Sequence, residues 1–491
     1  MHLRRGRARL AAVLALIAAI GTACGTRVSR ADVVAAAGGG PVRVISAPTD
    51  GTTDGAVAVP VTPSAAPTAA TAPRVLPTKG ALARGRIAVP VAAIGGGPAT
   101  QPGSAPATPG STGPLRSATP GAAACRRPGS TITFGQVGTF SGVIGASIGA
   151  AQPGLKVWAR QTNADGGIAC HPVRVISIDD DGDAGKAQNA VEELAQDGAV
   201  AINAFVPVTL NGIESAVDSA QMPVIGGDVT LDAWNTDPNF FPQGTAFAPM
   251  MYDFMKFAAQ EGGHRATFLQ CIEASGCALA SKYIREYGDS AGLTLTSVQP
   301  ISLAGTNFTQ QCQNARQQDD DVVIIAAGAT AVTAIGRDCA DQRYHPRFLT
   351  LGIGATNRLE SDPNLDGLTL GLPSFPWMDD RTPAERRFLA AISRYAPDLD
   401  SSGSASQAWT SGELLKKAIE SLGADAYGDL TPALVARGLH TLRGETLGGL
   451  APGVLTFPAG APATPDKCAY FASIVDGRWG APIGDQQVCA P

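Results

Sequence analysis

Residues 131–179 read TITFGQVGTFSGVIGASIGAAQPGLKVWARQTNADGGIACHPVRVISID. A β-rich run over 131–137 is followed, over 148–163, by apolar residues at three- and four-residue spacing. A turn at Asp165-Gly166-Gly167 then leads to a second β-rich run over 173–179. This order predicts strand, helix, strand, the repeating unit of an α/β fold.

The same alternation extends outward. Helices are expected over 184–196 and 210–220 and strands over 199–204 and 222–225, which completes one doubly wound unit. A second unit follows, with helices over 247–261, 278–287, 308–318 and 331–342 and strands over 266–271, 293–299, 322–327 and 347–351. Three further helices are expected over 383–395, 406–422 and 432–438, the last with Thr431 as N-cap and Pro432 in its first turn. About 360 residues are too many for one ordinary α/β domain and fit two.

Upstream of this region the chain has a different character. Arg4, Arg5, Arg7 and Arg9 precede an apolar run over 10–20, then small residues and Cys24. That is an export signal, expected to span residues 1–23, and its apolar run is shorter than the roughly 20 residues of a membrane-crossing helix. Gly21-Thr22-Ala23-Cys24 resembles a bacterial lipobox, with Gly21 standing where Leu, Val or Ile is usual. The resemblance implies acylation of Cys24 and anchorage in the cell envelope, on the extracytoplasmic face of the plasma membrane. Ordinary secretion after cleavage near Ala23 is the alternative.

Residues 24–124 are built mainly from Ala, Gly, Pro, Thr, Ser and Val, and the first aromatic residue of the chain is Phe134. Such a segment cannot assemble a packed core. As a tether of about 100 residues it would reach on the order of 50–60 Å. Residues 1–130 carry 14 Lys or Arg and 3 Asp or Glu, which leaves 23 basic and 39 acidic residues beyond them. The folded part is therefore acidic, near −16, and nucleic acid is excluded as a partner.

Nine cysteines cannot all pair. With Cys24 assigned to lipid, eight remain. Taken in order they suggest Cys125 with Cys170, Cys271 with Cys277, Cys312 with Cys339 and Cys468 with Cys489, one of 105 possible connectivities. No CxxC spacing or nearby histidine points to a metal, and no cofactor is expected. The acidic run Asp179-Asp180-Asp181-Gly182-Asp183 lacks the twelfth-position glutamate of a calcium loop, because Ala190 stands there, so it reads as a solvated strand end. Neither a GxSxG elbow nor a P-loop lysine motif is present, so an enzyme is the weaker alternative.

The segments ITFGQVGTFSG from Ile132, QTNADGGIACHPVRVISIDDD from Gln161 and DVVIIAAGATAVTAIGRDCADQ from Asp321 together resemble the Leu/Ile/Val-binding branch of the type I periplasmic binding proteins. The resemblance covers about Thr131 to the end. It implies two Rossmann-like lobes joined by three crossings, with a solute trapped between them and delivered to an ABC transporter permease, the protein acting as a monomer. A ligand-binding ectodomain that feeds a sensory partner is the alternative. The implied lobes comprise 131–244 plus 374–448 and 245–373 plus 449–491.

Open α/β sheets bind ligands beyond the carboxyl ends of their strands. The candidates there are Thr139, Phe140 and Ser141 after the first strand, Phe205, Val206 and Pro207 after the third, and Asp228 and Thr230 after the fourth. The second unit contributes Gln270, Gly328, Ile353 and Gly354. By the resemblance, Pro207 occupies the position of a carboxylate-gripping serine, and proline has neither hydroxyl nor N–H. The loop Gly352-Ile353-Gly354-Ala355-Thr356-Asn357 lacks the glutamate that holds an ammonium in the relatives. An ordinary α-amino acid is therefore disfavoured, and mostly apolar walls suit a small, weakly polar organic solute.

Overall fold

The computed structural model describes residues 128–484 and 486–491, with Ile353 described by its backbone. The export signal, Cys24, the tether and Cys125 lie outside the described residues. Among the described residues no helix is long and apolar enough to cross a membrane.

The first sheet holds β1 (Ile132–Gly138), β2 (Val173–Asp179), β3 (Ala199–Phe205), β4 (Val224–Gly227) and β5 (Phe240–Phe241) in the order β2-β1-β3-β4-β5, all parallel. Strands β1 and β3 are buried along their whole length, because helices cover both faces of the sheet. The polar groups this buries are paired. Gln136 donates to Asn203 Oδ1 at 3.0 Å and Asn203 donates to the Gly226 carbonyl at 2.8 Å, while Ser177 donates to Gln136 Oε1 at 2.8 Å.

The second sheet begins with the parallel strands β6 (Arg265–Cys271), β7 (Thr294–Ile301), β8 (Val322–Ile325), β9 (Arg347–Leu351) and β10 (Thr369–Leu372). A separate pair, β11 (Arg443–Glu445) and β12 (Leu455–Thr456), follows in the chain. The sheet is then completed by β13 (Cys468–Val475) and β14 (Arg478–Gly480), giving the order β14-β13-β10-β9-β8-β6-β7, with β15 (Val488–Cys489) paired to β13. Strand β13 runs antiparallel to β10, placing Leu372 opposite Tyr470.

The helices Pro383–Tyr395 and Gly403–Glu420 return to the first sheet. A Cβ on Gly154 would lie 2.9 Å from the Ala405 carbonyl oxygen, so the helix Ala151–Ala164 and the helix Gly403–Glu420 approach at backbone distance. Arg387 joins them, donating to Asp165 at 2.8 Å and to Glu413, which also accepts from Trp158 Nε1 at 2.9 Å. Thr382 and Glu385 form a reciprocal capping box at the start of the helix Pro383–Tyr395, and Thr431 caps the helix Pro432–Leu439.

Three chain segments pass side by side between the sheets. Thr245 N–H donates to the Pro373 carbonyl at 3.2 Å, Phe375 N–H to the Leu450 carbonyl at 3.0 Å, and Ala246 N–H to the Asp466 carbonyl at 3.1 Å. The Asp466 carboxylate accepts from Gly453 N–H at 2.9 Å and Cys468 N–H at 3.1 Å, which ties the last segment to itself. Burial pushes its pKa up to about 6.

The structure departs from the periodicity reading at the start of the first long helix and in strands that reading lacked, among them β5, β10, β11 and β12. The expected helix over 148–163 begins at Ala151, behind a separate helix Gly142–Ile148. Pro153 has no N–H and is tolerated only in a first turn, so it sits three residues into the second helix. The carboxyl-terminal strands β13 to β15 were not foreseen, because antiparallel additions to a sheet carry no α/β alternation.

Candidate functional site

The acidic strand end organises the loops beside it. Asp180 is buried and accepts from Thr139 at 2.7 Å, Thr209 at 2.6 Å and Gly182 N–H at 2.8 Å. Asp179 accepts from Phe140 N–H at 2.9 Å, Asp181 accepts from Ser141 at 2.9 Å, and Asp183 caps the helix Ala184–Gln196 through Lys186 N–H. Thr139 and Ser141 thus spend their hydroxyl donors on this run. Among the described residues, no group of three or more His, Cys, Asp or Glu side chains is placed to hold a metal.

A cavity of about 610 Å³ of atom-free space, counting its solvent-open mouth, lies where the carboxyl ends of the two sheets face each other. Lobe one supplies Ile144, Ser147, Ile148, Pro207, Asp228 and Thr230. The second lobe supplies the Cys271–Cys277 disulfide with Ala274 and Gly276 inside its loop, then Leu303, Ala326 to Gly328, and Leu351 with Gly354. The lining is predominantly apolar with a few convergent polar groups, as in small-molecule sites.

Asp228 is the buried acid of this cavity, 2 % exposed. Its position follows from the end of β4. Gly226 has φ 59° and Gly227 φ 149°, and a Cβ on Gly227 would collide with the Ala204 carbonyl. Gln243 clamps Gly227 from both sides, accepting from its N–H at 3.1 Å and donating to its carbonyl at 3.0 Å. Asp228 then follows with its N–H on the Ala204 carbonyl at 2.9 Å and its own carbonyl accepting from Trp234 at 2.6 Å. Thr230 donates twice to Asp228 Oδ1, from its hydroxyl at 2.6 Å and its N–H at 3.1 Å. Burial pushes the Asp228 pKa up, against the lowering effect of these two bonds.

The lobes touch across the cleft. Ser275 donates to the Pro207 carbonyl at 3.4 Å and Tyr283 donates to Asp232 at 2.8 Å. A Cβ on Gly328 would collide with Ser147 Oγ, and one on Gly276 would stand 3.1 Å from Thr230 Oγ1. Side chains of the first lobe therefore seat against glycines of the second.

Of the expected site residues, Pro207, Asp228, Thr230, Gly328 and Gly354 line the cavity. Thr139, Phe140, Ser141 and Gln270 are not among its lining residues, and Phe205 and Val206 are buried in the apolar core of the first sheet. Ile353 is described by its backbone alone, in the turn Gly352–Gly354. Phe375 and Trp377 are core, packed edge-on against Phe388 and Trp479. The other lining residues come from the helix Gly142–Ile148, from the ends of β6, β8 and β9, from Leu303 after β7 and from the disulfide loop. The small-residue steps Ala326-Ala327-Gly328 and Ser275-Gly276 and the closely spaced Cys271 and Cys277 mark part of this lining in the sequence.

The disulfides Cys312–Cys339 and Cys468–Cys489 lie away from the cavity, the first joining the helices Thr309–Gln317 and Ala329–Ala340, the second tying β13 to β15. Cys170 is also disulfide-bonded, whereas Cys125 lies outside the described residues.

Residues 131–478 match the family described as "Periplasmic binding protein". Among solved structures, a fatty acid ABC transporter substrate-binding protein from Thermomonospora curvata superposes with a TM-score of 0.62 at 17 % identity, covering 74 % of this chain and 94 % of the other. A branched-chain amino acid ABC transporter protein from Thermus thermophilus with bound valine gives 0.65 at 14 %, covering 74 % and 97 %. A solute-binding protein from R. palustris in complex with benzoate gives 0.60 at 13 %, covering 74 % and 98 %. At these identities the similarity speaks to the fold. No curated protein matches the chain.

Proposed function

Because the chain belongs to the periplasmic binding protein family, whose members bind substrates and are not enzymes, we propose that it captures a small, weakly polar organic solute between its lobes and delivers it to an ABC importer. The observation that carries this reading is the cavity at the facing sheet ends, with Asp228 and Thr230 as its polar floor and apolar walls from both lobes. Lobes of 131–244 plus 374–448 and 245–373 plus 449–491 are the bodies that would close on the solute. The contacts from Ser275 to Pro207 and from Tyr283 to Asp232 are consistent with a closed arrangement.

An α-amino acid is the less favoured cargo. Pro207 lines the cavity without a side-chain donor, and among the described residues no Lys or Arg lines it to meet a carboxylate, although Asp228 leaves an amine possible. The relatives' cargoes include a fatty acid, an aromatic acid and an amino acid, so the fold itself does not choose. The protein acts outside the cytoplasm, and acylation at Cys24 with residues 24–124 as a spacer would hold the monomer near its permease.

Native mass spectrometry of the purified chain, followed by analysis of the compound released on denaturation, tests this reading. A small organic molecule recovered unchanged, and raising the melting temperature when added back, is the expected result. Recovery of a chemically converted product would overturn it.

A further inference from the structure

Three cavities abut along the interlobe cleft. The 610 Å³ chamber shares Ser147, Leu303 and Gly328 with an outer cavity of about 490 Å³. It shares Thr230 and Leu351 with a small inner pocket that has room for about one water-sized group and reaches Pro373 at the crossings. The outer cavity continues past Ala146 and Ala329 to Val143, an apolar side chain 46 % exposed.

Polarity is graded along this path. The inner cavity is lined by Gln407, which is 1 % exposed and whose Nε2 has no hydrogen-bond partner among the described residues. Gln407 Oε1 is approached by Gln243 Nε2 at 3.5 Å, so the unsatisfied group is the donor. An unpaired buried donor is costly and calls for an acceptor. Next along the path come Asp228 and Thr230, whose mutual bonds use Oδ1 and leave Asp228 Oδ2 for a ligand. Beyond them the described lining is almost wholly aliphatic. Among the described residues, no lysine or arginine lines any of the three cavities.

Resting on the solute-capture reading, we infer that the cargo is an elongated amphiphile with an uncharged carbonyl-bearing head group (amide, ester or protonated acid). The head group lies beside Asp228 with its carbonyl oxygen alone entering the small inner pocket toward Gln407, and the apolar chain runs outward past Leu303 to Val143. The Gln407 donor needs a carbonyl oxygen, which an ammonium lacks. A carboxylate would enter without a countercation, beside an acid that burial already disfavours ionising, so an acid enters carrying its proton.

The test is isothermal titration of the full chain at pH 7.5 with straight-chain probes from butanoyl to dodecanoyl length, each as primary amide, carboxylate and primary amine. Amides are expected to bind at least tenfold tighter than the amine or carboxylate of equal length. Affinity should rise about three- to fourfold per methylene until the chain reaches the outer mouth. Gln407→Leu should erase the head-group preference while keeping the chain-length gain, with a thermal melt confirming that the variant is folded. Tightest binding by amines or carboxylates, or affinity independent of chain length, overturns the inference while solute capture stands. Failure of every probe, together with no compound released from the purified protein, overturns both.

Discussion

The two walls of the cleft are built on opposite plans. The first lobe presents side chains, with Asp228 and Thr230 locked together by two hydrogen bonds and Ser147 projecting from the helix Gly142–Ile148. The second presents a surface of small residues, Ala274, Gly276, Ala326, Ala327, Gly328 and Gly354, braced by the Cys271–Cys277 disulfide. On the proposed reading the first wall would read the ligand and the second receive it, because close seating of Ser147 and Thr230 requires glycines opposite them. Closure would then depend most on what the second wall lacks, and selectivity on what the first wall carries.

The largest effect should come from filling that receptive wall. Gly328→Val would meet Ser147 and hold the lobes apart, weakening ligand binding by on the order of a hundredfold, about 3 kcal/mol. Small-angle scattering should show a larger radius with ligand present than for the parent. Equal affinity and an equal radius would break the comparison, whereas rescue by Ser147→Gly would sharpen it.

The brace comes next. Replacing both Cys271 and Cys277 by serine removes a bridge spanning six residues and should cost on the order of 2 kcal/mol in denaturant unfolding. Ligand affinity should fall as well, since the loop it ties lines the cavity. Unchanged affinity would show that the brace serves stability alone.

Each lobe also buries a carboxyl, and the two differ in the same sense. Asp228 has Thr230 as a partner, whereas Asp253, in the helix Phe247–Gln260, has neither oxygen paired among the described residues. Burial, with the Asp466 carboxylate nearby, pushes the Asp253 pKa up to about 8. A raised acid pKa means the folded state holds its proton more tightly than the unfolded chain. Stability is therefore full below the ordinary value of 3.8 and declines as pH climbs toward 8. Asp253→Asn should lessen the fall of the melting temperature between pH 5 and 8, leaving the part due to Asp466 and Asp228, and add roughly 1–2 kcal/mol at pH 8. A parent protein with no decline over that interval would contradict the assignment.

The smallest effect concerns the rim. Tyr283→Phe removes the hydrogen bond to Asp232 across the cleft and should weaken ligand binding about twofold, near 0.5 kcal/mol, with an unchanged melting temperature for the unliganded protein. A change in stability without a change in affinity would place that bond in the architecture and not in closure.

Much of the architecture was legible along the chain. Residues 131–179 alternate locally, and local alternation is what hydrophobic periodicity reports, so β1, β2 and the repeats after them could be read directly. Thr431 and Pro432 marked their helix start because a cap is a contact between neighbours in sequence. Of the candidate site, Pro207, Asp228, Thr230, Gly328 and Gly354 could be found from the rule that ligands gather at strand ends.

What that rule could not say is which way each loop residue turns. Thr139 and Ser141 follow a strand as Thr230 does, yet the acids at 179–183 claim their hydroxyls, a pairing that exists only once β1 and β2 lie side by side. Ser147, Leu303 and Gln407 belong to segments far apart in the chain and share a path only after two sheets face each other. The sequence by itself determined most of the elements and the α/β class, because those follow from forces between near neighbours, while the two lobes were implied by chain length and by the family resemblance. The shape of the cleft, its polarity gradient and the glycines that let it close were decided by tertiary structure, because they arise from contacts between lobes that no local pattern encodes.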